Sequence, residues 1–225
     1  MTTSTDRAPA TGQTRWAWRV DPPDGWLVVP SAVTEDHEDV ATWEREATAA
    51  VRASLEPQPG DDGEPAELDD AARSALDRAA AESVASLREF ADGMAPAGHR
   101  VAAAVGVLGR GPVPVLVAVG VSDPAEPDDG LMAALGATGG YPAAPPDIEY
   151  LDLPDGDGVR VVRLDVGEVT GGAWMSVCLG RRTEHPDAVV DTVLVWRTQD
   201  LLLGAAMVEL LDELLPAVRI TRGGT

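Results

Sequence analysis

Along this chain, apolar positions alternate with polar ones in some stretches and recur every three or four residues in others. Trp16 and Trp18 alternate with Ala17 and Arg19, and Trp26–Val29 is a second short apolar run. Between them, Asp21-Pro22-Pro23-Asp24-Gly25 has the chemistry of a tight turn. The pattern predicts an opening hairpin whose aromatics meet across the two strands. A helix is predicted from near Thr34, because Val40, Trp43, Ala47, Val51 and Leu55 recur at helical spacing. Glu35 and Asp36 fall in its first turn, where carboxylates suit the helix dipole, and Pro57 ends it. A second helix is predicted over residues 68–90, on a stripe of Leu68, Ala72, Leu76, Ala80, Val84, Leu87 and Phe90. Its alanine content favours helix intrinsically, and Gly93 is the stop.

After Gly98 the period becomes two. Residues 100–108 and 113–121, joined by "GRGP", predict a hairpin. Val113, Val115, Val117, Val119 and Val121 point one way, while Leu116, Ala118 and Gly120 point the other. Both faces are apolar or small, which predicts a central strand covered on both sides, with Pro114 near its beginning or at an edge. Residues 131–135 suit one helical turn, and "GATGGYPAAPP" suits no regular element. Four more strands are predicted at 148–153, 158–166, 173–179 and 189–196. The last element is a helix capped by Thr198, with Leu203, Met207, Leu210, Leu211 and Leu214 facing inward and Pro216 ending it. The order of hairpin, two helices, six strands and helix predicts an α+β fold. Its antiparallel β-sheet has about six to eight strands and is flanked by helices. The terminal helix covers one face, and the middle helices cover the other or pack beside it. Residues 1–14 are expected to be a disordered tail and 15–220 a single α+β domain with a helical insertion at about 34–93. Residues 221–225 are expected to be a C-terminal tail.

Composition narrows the classes of function. A chain of 225 residues buries enough surface to need no disulfide or metal staple. The formal charge is −21, and all 17 bases are arginine. Such a field repels nucleic acid and anionic membranes. Residues 56–70 hold seven acids and no base, and residues 111–159 hold nine acids and no base. Solvated loops are the plain reading of these runs, and a docking surface for a basic partner is the sharper one. The single cysteine, Cys178, lies in the alternating run "AWMSVCLG" and reads as a small buried hydrophobe. It can form no internal disulfide, so nothing points to an oxidising compartment. The opening "MTTSTDRAPATGQT" has no apolar targeting core, and no segment approaches the roughly 20 apolar residues that span a bilayer. The expectation is a cytoplasmic protein without a membrane anchor.

Candidate chemistry is sparse. His37, His99 and His185 are isolated, and there is no H-E-x-x-H, C-x-x-C or G-x-S-x-G pattern. "DLPDGDG" lacks the full spacing of a calcium loop, and "GVLGRGP" leads into a strand instead of a helix. No catalytic residue, metal or cofactor is expected. Arg160, Arg163, Arg181, Arg182 and Arg197 all fall on the C-terminal strands. Arg160 and Arg163 should face opposite sides of the sheet. The five read either as ion pairs with acids such as Asp165, Glu184 and Asp191, or as a small cationic patch that receives an acidic partner or ligand. The tryptophans read as packing residues, with Trp16 the candidate for exposure.

The opening "WRVDPPDGWLVVP" resembles the first hairpin of PsbP-like proteins. The closing "VCLGRRTEHPDAVVDTVLVWRTQDLLLGAAMVELLDELLPAVRI" looks like their final strand pair and helix, with Leu211-Asp212 at the place of a Leu-Asp pair. The pattern is more similar still to a family of uncharacterised actinobacterial proteins that insert two helices between these ends. Some members of that family lie near type VII (ESX) secretion genes. The resemblance implies a PsbP-like α+β fold over most of residues 16–220 and assigns no activity, so it carries over no functional residue. The start has no lipobox cysteine, unlike the lipoprotein relatives. The expected function is a non-enzymatic interaction or accessory protein acting on another protein. The alternative is a small-ligand carrier or sensor with a cavity between sheet and helices.

Overall fold

The computed structural model describes residues 16–57, 68–124, 130–139, 142–154, 156–166 and 172–223. The elements in chain order are β1 (Trp16–Val20), β2 (Trp26–Val29), α1 (His37–Leu55), α2 (Asp70–Met94), β3 (Arg100–Ala104), β4 (Val113–Ser122), α3 (Gly130–Ala134), β5 (Asp147–Leu153), β6 (Gly156–Val166), β7 (Ala173–His185), β8 (Ala188–Thr198), α4 (Leu201–Leu214) and β9 (Val218–Arg222). The expected tail at 1–14, most of the acidic run at 56–70 and the turn between β6 and β7 lie outside the described residues.

The fold is α+β, as the periodicity predicts. Seven strands form one antiparallel sheet in the order β2-β3-β4-β8-β7-β6-β5, and β1 and β9 form a separate antiparallel pair. Strand β4 is central, as its two apolar faces require. Pro114 lies opposite Ala103 of β3 but outside the stretch that pairs with β8, which begins at Leu116. A proline there forfeits no ladder bond to β8.

The opening hairpin does not form. Trp18 lies opposite Ile220, and Trp26 lies opposite Ala104. The turn chemistry is real, with the Trp26 N–H donating to Pro23 O at 3.2 Å and Gly25 at φ 80°. Its ends are claimed by other segments, however. The Asp21 N–H donates to Ala217 O at 2.9 Å, and Gly25 O accepts from the Val105 N–H at 2.8 Å. The turn therefore passes the chain from one sheet to the other. Two strands this short make a weak hairpin alone, and each gains a longer-range partner instead. The expected C-terminal tail is also corrected, because Thr221 and Arg222 belong to β9, opposite Ala17 and Trp16.

Strand β7 runs six residues beyond its predicted end. Arg181, Arg182, Thr183 and Glu184 break the apolar alternation, yet Arg182 lies opposite Asp191 and pairs with it at 2.7 Å. The cap of α4 is Asp200 and not Thr198. Asp200 Oδ1 accepts from the Leu202 and Leu203 N–H groups at 3.0 and 3.2 Å, while Thr198 Oγ1 accepts from the Asp200 N–H.

The two faces of the large sheet are covered differently. Leu203, Met207, Leu211 and Leu214 of α4 pack on the face built from Ala102, Val115, Val117, Val177, Leu179, Leu194 and Trp196. On the opposite face, Leu87 and Ala91 of α2 cover Val29, Val101 and Ala103 at the β2–β3 end. Helix α1 packs on α2 through Ala47 and Val51 against Ala80 and Val84. Phe90, expected on the buried stripe of α2, is exposed there, and Ala91 takes the inward place. At the other end, Leu131 of α3 and the adjacent Leu135 cover Val159, Val161 and Cys178. Helix α3 can come this close because Gly180 lies beneath it, where a Cβ would stand 2.8 Å from Leu131 and 2.9 Å from Leu135.

Gly180→Val should therefore push α3 off the sheet and destabilise the protein by about 1–3 kcal/mol, read as a lower midpoint in urea unfolding.

Candidate functional site

The middle of the second face, over β4 and β8, lies between the covers supplied by α2 and α3. The strand registers decide which side chains stand there. Leu116, Val195, Cys178 and Val161 are successive cross-strand neighbours and form an apolar row. One step along the strands, Arg163 of β6 lies opposite Ser176 of β7, which lies opposite Arg197 of β8. A further step brings Asp165 opposite Trp174. Side chains on alternate residues share a face, so these three rows point the same way.

Members of each row line a cavity of about 430 Å³ bounded by Ala134, Leu135, Gly136, Arg163, Asp165, Trp174, Ser176, Cys178 and Arg197. The volume falls in the range of small-molecule sites. Arg197 is shared with an adjoining open groove of about 720 Å³, whose walls include Phe90, Pro112, Pro114, Leu116 and Val195. The cavity and the groove together cross the sheet from α3 to α2.

The two arginines of the cavity differ in role. Arg163 is held on all sides. Its Nε donates to Asp165 at 2.7 Å, its Nη2 lies 2.6 Å from the same carboxylate, and its Nη1 donates to Gly136 O and Gly139 O at 3.1 and 2.9 Å. It thereby fastens the turn after α3 to β6. Arg197 is exposed and has no carboxylate partner among the described residues. Ser176 is only 5% exposed, and its hydroxyl makes no hydrogen bond among the described residues. Burial pushes the Cys178 thiol up from its ordinary range, while the Arg197 and Arg163 cations act the other way. A raised thiol pKa contributes stability below the unfolded-state value, and that contribution is lost as pH rises through the folded value.

The five predicted arginines do not form one surface. Arg160 and Arg163 face opposite sides, as the spacing requires. Arg160 stands on the α4 side and pairs with Asp212 and Glu149. Arg181 is buried on that side, where its Nη2 donates to Val218 O at 2.8 Å. Arg182 shares the face of Arg163 and Arg197 but lies six residues along β7 from Ser176, about 20 Å away, with Asp191. Only Arg163 and Arg197 meet. The sequence reading missed Ser176 and Trp174 as site residues. Trp174 is 41% exposed beside the cavity, whereas Trp16, the expected exposed one, is half-buried beside His185 at 4.5 Å. Alternation along β7 already placed Trp174, Ser176 and Cys178 on one face, but it could not show that a cavity remains between this face and α3.

In the folded protein, Cys178 should react with methyl methanethiosulfonate more slowly at neutral pH than in the urea-unfolded chain. Arg197→Gln should slow it further, because the cation that favours the thiolate is gone.

No family model matches the chain, and no curated protein matches it. Among solved structures, it is similar to the crystal structure of LpqN, involved in cell envelope biogenesis of Mycobacterium tuberculosis. That similarity covers 94% of this chain and 87% of the other, at 10% sequence identity and a TM-score of 0.46.

Proposed function

We propose that this protein is a non-enzymatic small-ligand carrier or sensor whose site is the cavity between α3 and the sheet. The observation that carries the reading is the cavity itself. Buried polar Ser176, exposed aromatic Trp174 and the cation of Arg197 converge on a space of ligand size. Among the described residues no helix is long and apolar enough to cross a membrane. A cytoplasmic location belongs to the same proposal and is supported by the lone buried cysteine.

A second reading, an accessory protein working through protein contacts, is favoured by a different place. Leu201 and Leu202 open α4, with Leu202 76% exposed. The turn at Val107–Gly109 touches α4, and its exposed Leu108 holds a left-handed conformation at φ 51°. Arg110 pairs with the α4 cap Asp200 at 2.6 Å and ties the two segments into one apolar corner. Backbone strain of this kind concentrates at functional places. The resemblance to actinobacterial proteins encoded near type VII secretion genes supplies the context for this reading, and a PsbP-like fold belongs with it.

A thermal-shift screen of metabolites separates the two. A ligand at 100 times its Kd adds about 2.7 kcal/mol to stability. The carrier reading expects a stabilising compound whose effect is lost in Trp174→Ala and kept in Leu202→Asp, and stabilisers indifferent to Trp174 would sink it. The accessory reading expects Leu202→Asp to abolish association with a co-purifying protein without lowering the thermal midpoint.

A further inference from the structure

We propose that the row Arg163–Ser176–Arg197 is an anion site for a singly charged carboxylate bearing a compact apolar body. This rests on reading the cavity as a ligand site and names what the ligand must be. The charge count comes first. Two guanidiniums and the Asp165 carboxylate leave one net positive charge in the cavity. A monoanion balances that charge, while a phosphate dianion leaves one negative charge in excess. Arg163 is already committed to Asp165 and to two carbonyls, so its head is fixed and the open donor capacity lies with Arg197.

The second point is the partnering of the strand arginines. Arg160, Arg163 and Arg182 each hold a carboxylate, and Arg181 holds a carbonyl. The chain has 38 acids to 17 bases. In so acidic a chain an arginine readily finds an acid, yet Arg197 stands at the cavity without one among the described residues. Ser176 sits between the two arginines in register, nearly fully buried, with its hydroxyl directed to the same space. The backbones carrying Arg163 and Arg197 are two strand spacings apart, about 10 Å, which leaves room for a carboxylate over Ser176. There it accepts the Ser176 O–H and the N–H groups of Arg197, and charge-assisted bonds of this kind are roughly twice as strong as neutral ones.

The rest of the cavity sets the other half of the ligand. Leu135 and Trp174 flank the cationic row, and an apolar or aromatic body packed on them excludes water from the ion pair. The whole-chain charge of −21 repels anions at long range, so the selectivity comes from these short contacts.

The single cysteine reads occupancy, because Cys178 lines the same cavity. The full chain is treated with methyl methanethiosulfonate, which is small and uncharged, in the presence of 3-phenylpropanoate or its uncharged amide. The acid is expected to protect the thiol at about tenfold lower concentration than the amide, equivalent to about 1.4 kcal/mol. Arg197→Gln should erase that preference, Ser176→Ala should reduce it, and Arg78→Gln on the exposed side of α2 should keep it. Equal protection by acid and amide leaves the ligand cavity standing and overturns the anion site. An acid preference that survives Arg197→Gln overturns the assignment to this row. Protection by neither probe at any soluble concentration overturns the cavity and the anion site together.

Discussion

A sheet whose central strands are apolar on both faces must be covered on both faces, and that constraint organises this molecule. Strands β4, β8 and β7 carry Val, Leu and Trp side chains toward each side. Helix α4 covers the centre of one side. Met207, Leu211 and Leu214 are fully buried there, each worth about 1.5–3 kcal/mol of burial. Gly204 lets α4 settle against Met175, at a place where any larger side chain would collide with the thioether. The other side receives two partial covers from opposite ends. The α1–α2 pair claims β2 and β3, and the short α3 claims β6 and β7. The cavity, walled by α3, and its groove, walled by α2, lie between them.

The arginines express the same division. On the α4 side they are structural. Arg160 ties Asp212 of the helix to Glu149 of the edge strand β5, and Arg181 donates beneath the turn that leads into β9. On the second side, Arg163 performs a similar fastening for the turn after α3. Arg197, one strand beyond Ser176, makes no ion pair among the described residues. It stands at the junction of the cavity and the groove.

Much of the architecture was legible beforehand. Helices α1, α2 and α4 follow from three-and-four spacing of apolar residues, and β3 to β8 follow from alternation. The sequence also supports an antiparallel sheet with α4 on one face. The failures share a cause. The hairpin of Trp18 and Trp26 was inferred from a true turn, but the strands on either side found partners far along the chain. The end of β7 was placed too early because Arg181 and Arg182 look like a loop until Thr192 and Asp191 are seen opposite them. The C-terminal residues looked like a tail because only β1, at the other end of the chain, makes them a strand.

The candidate site was legible only in part. Arg163 and Arg197 were singled out, yet they stood among three arginines that the fold sends elsewhere. By itself the sequence determined the kind of most elements, the side of its strand on which each residue stands, and the strong negative charge. Those properties repeat within two to four residues and need no distant partner. Tertiary structure decided that Ser176 lies between Arg163 and Arg197, and that a cavity beside α3 brings all three to one space. Pairing register is settled between distant segments, and a slip of one residue turns every side chain of a strand to the opposite face. No local pattern carries that information, so the meeting of these three residues exists only in the folded chain.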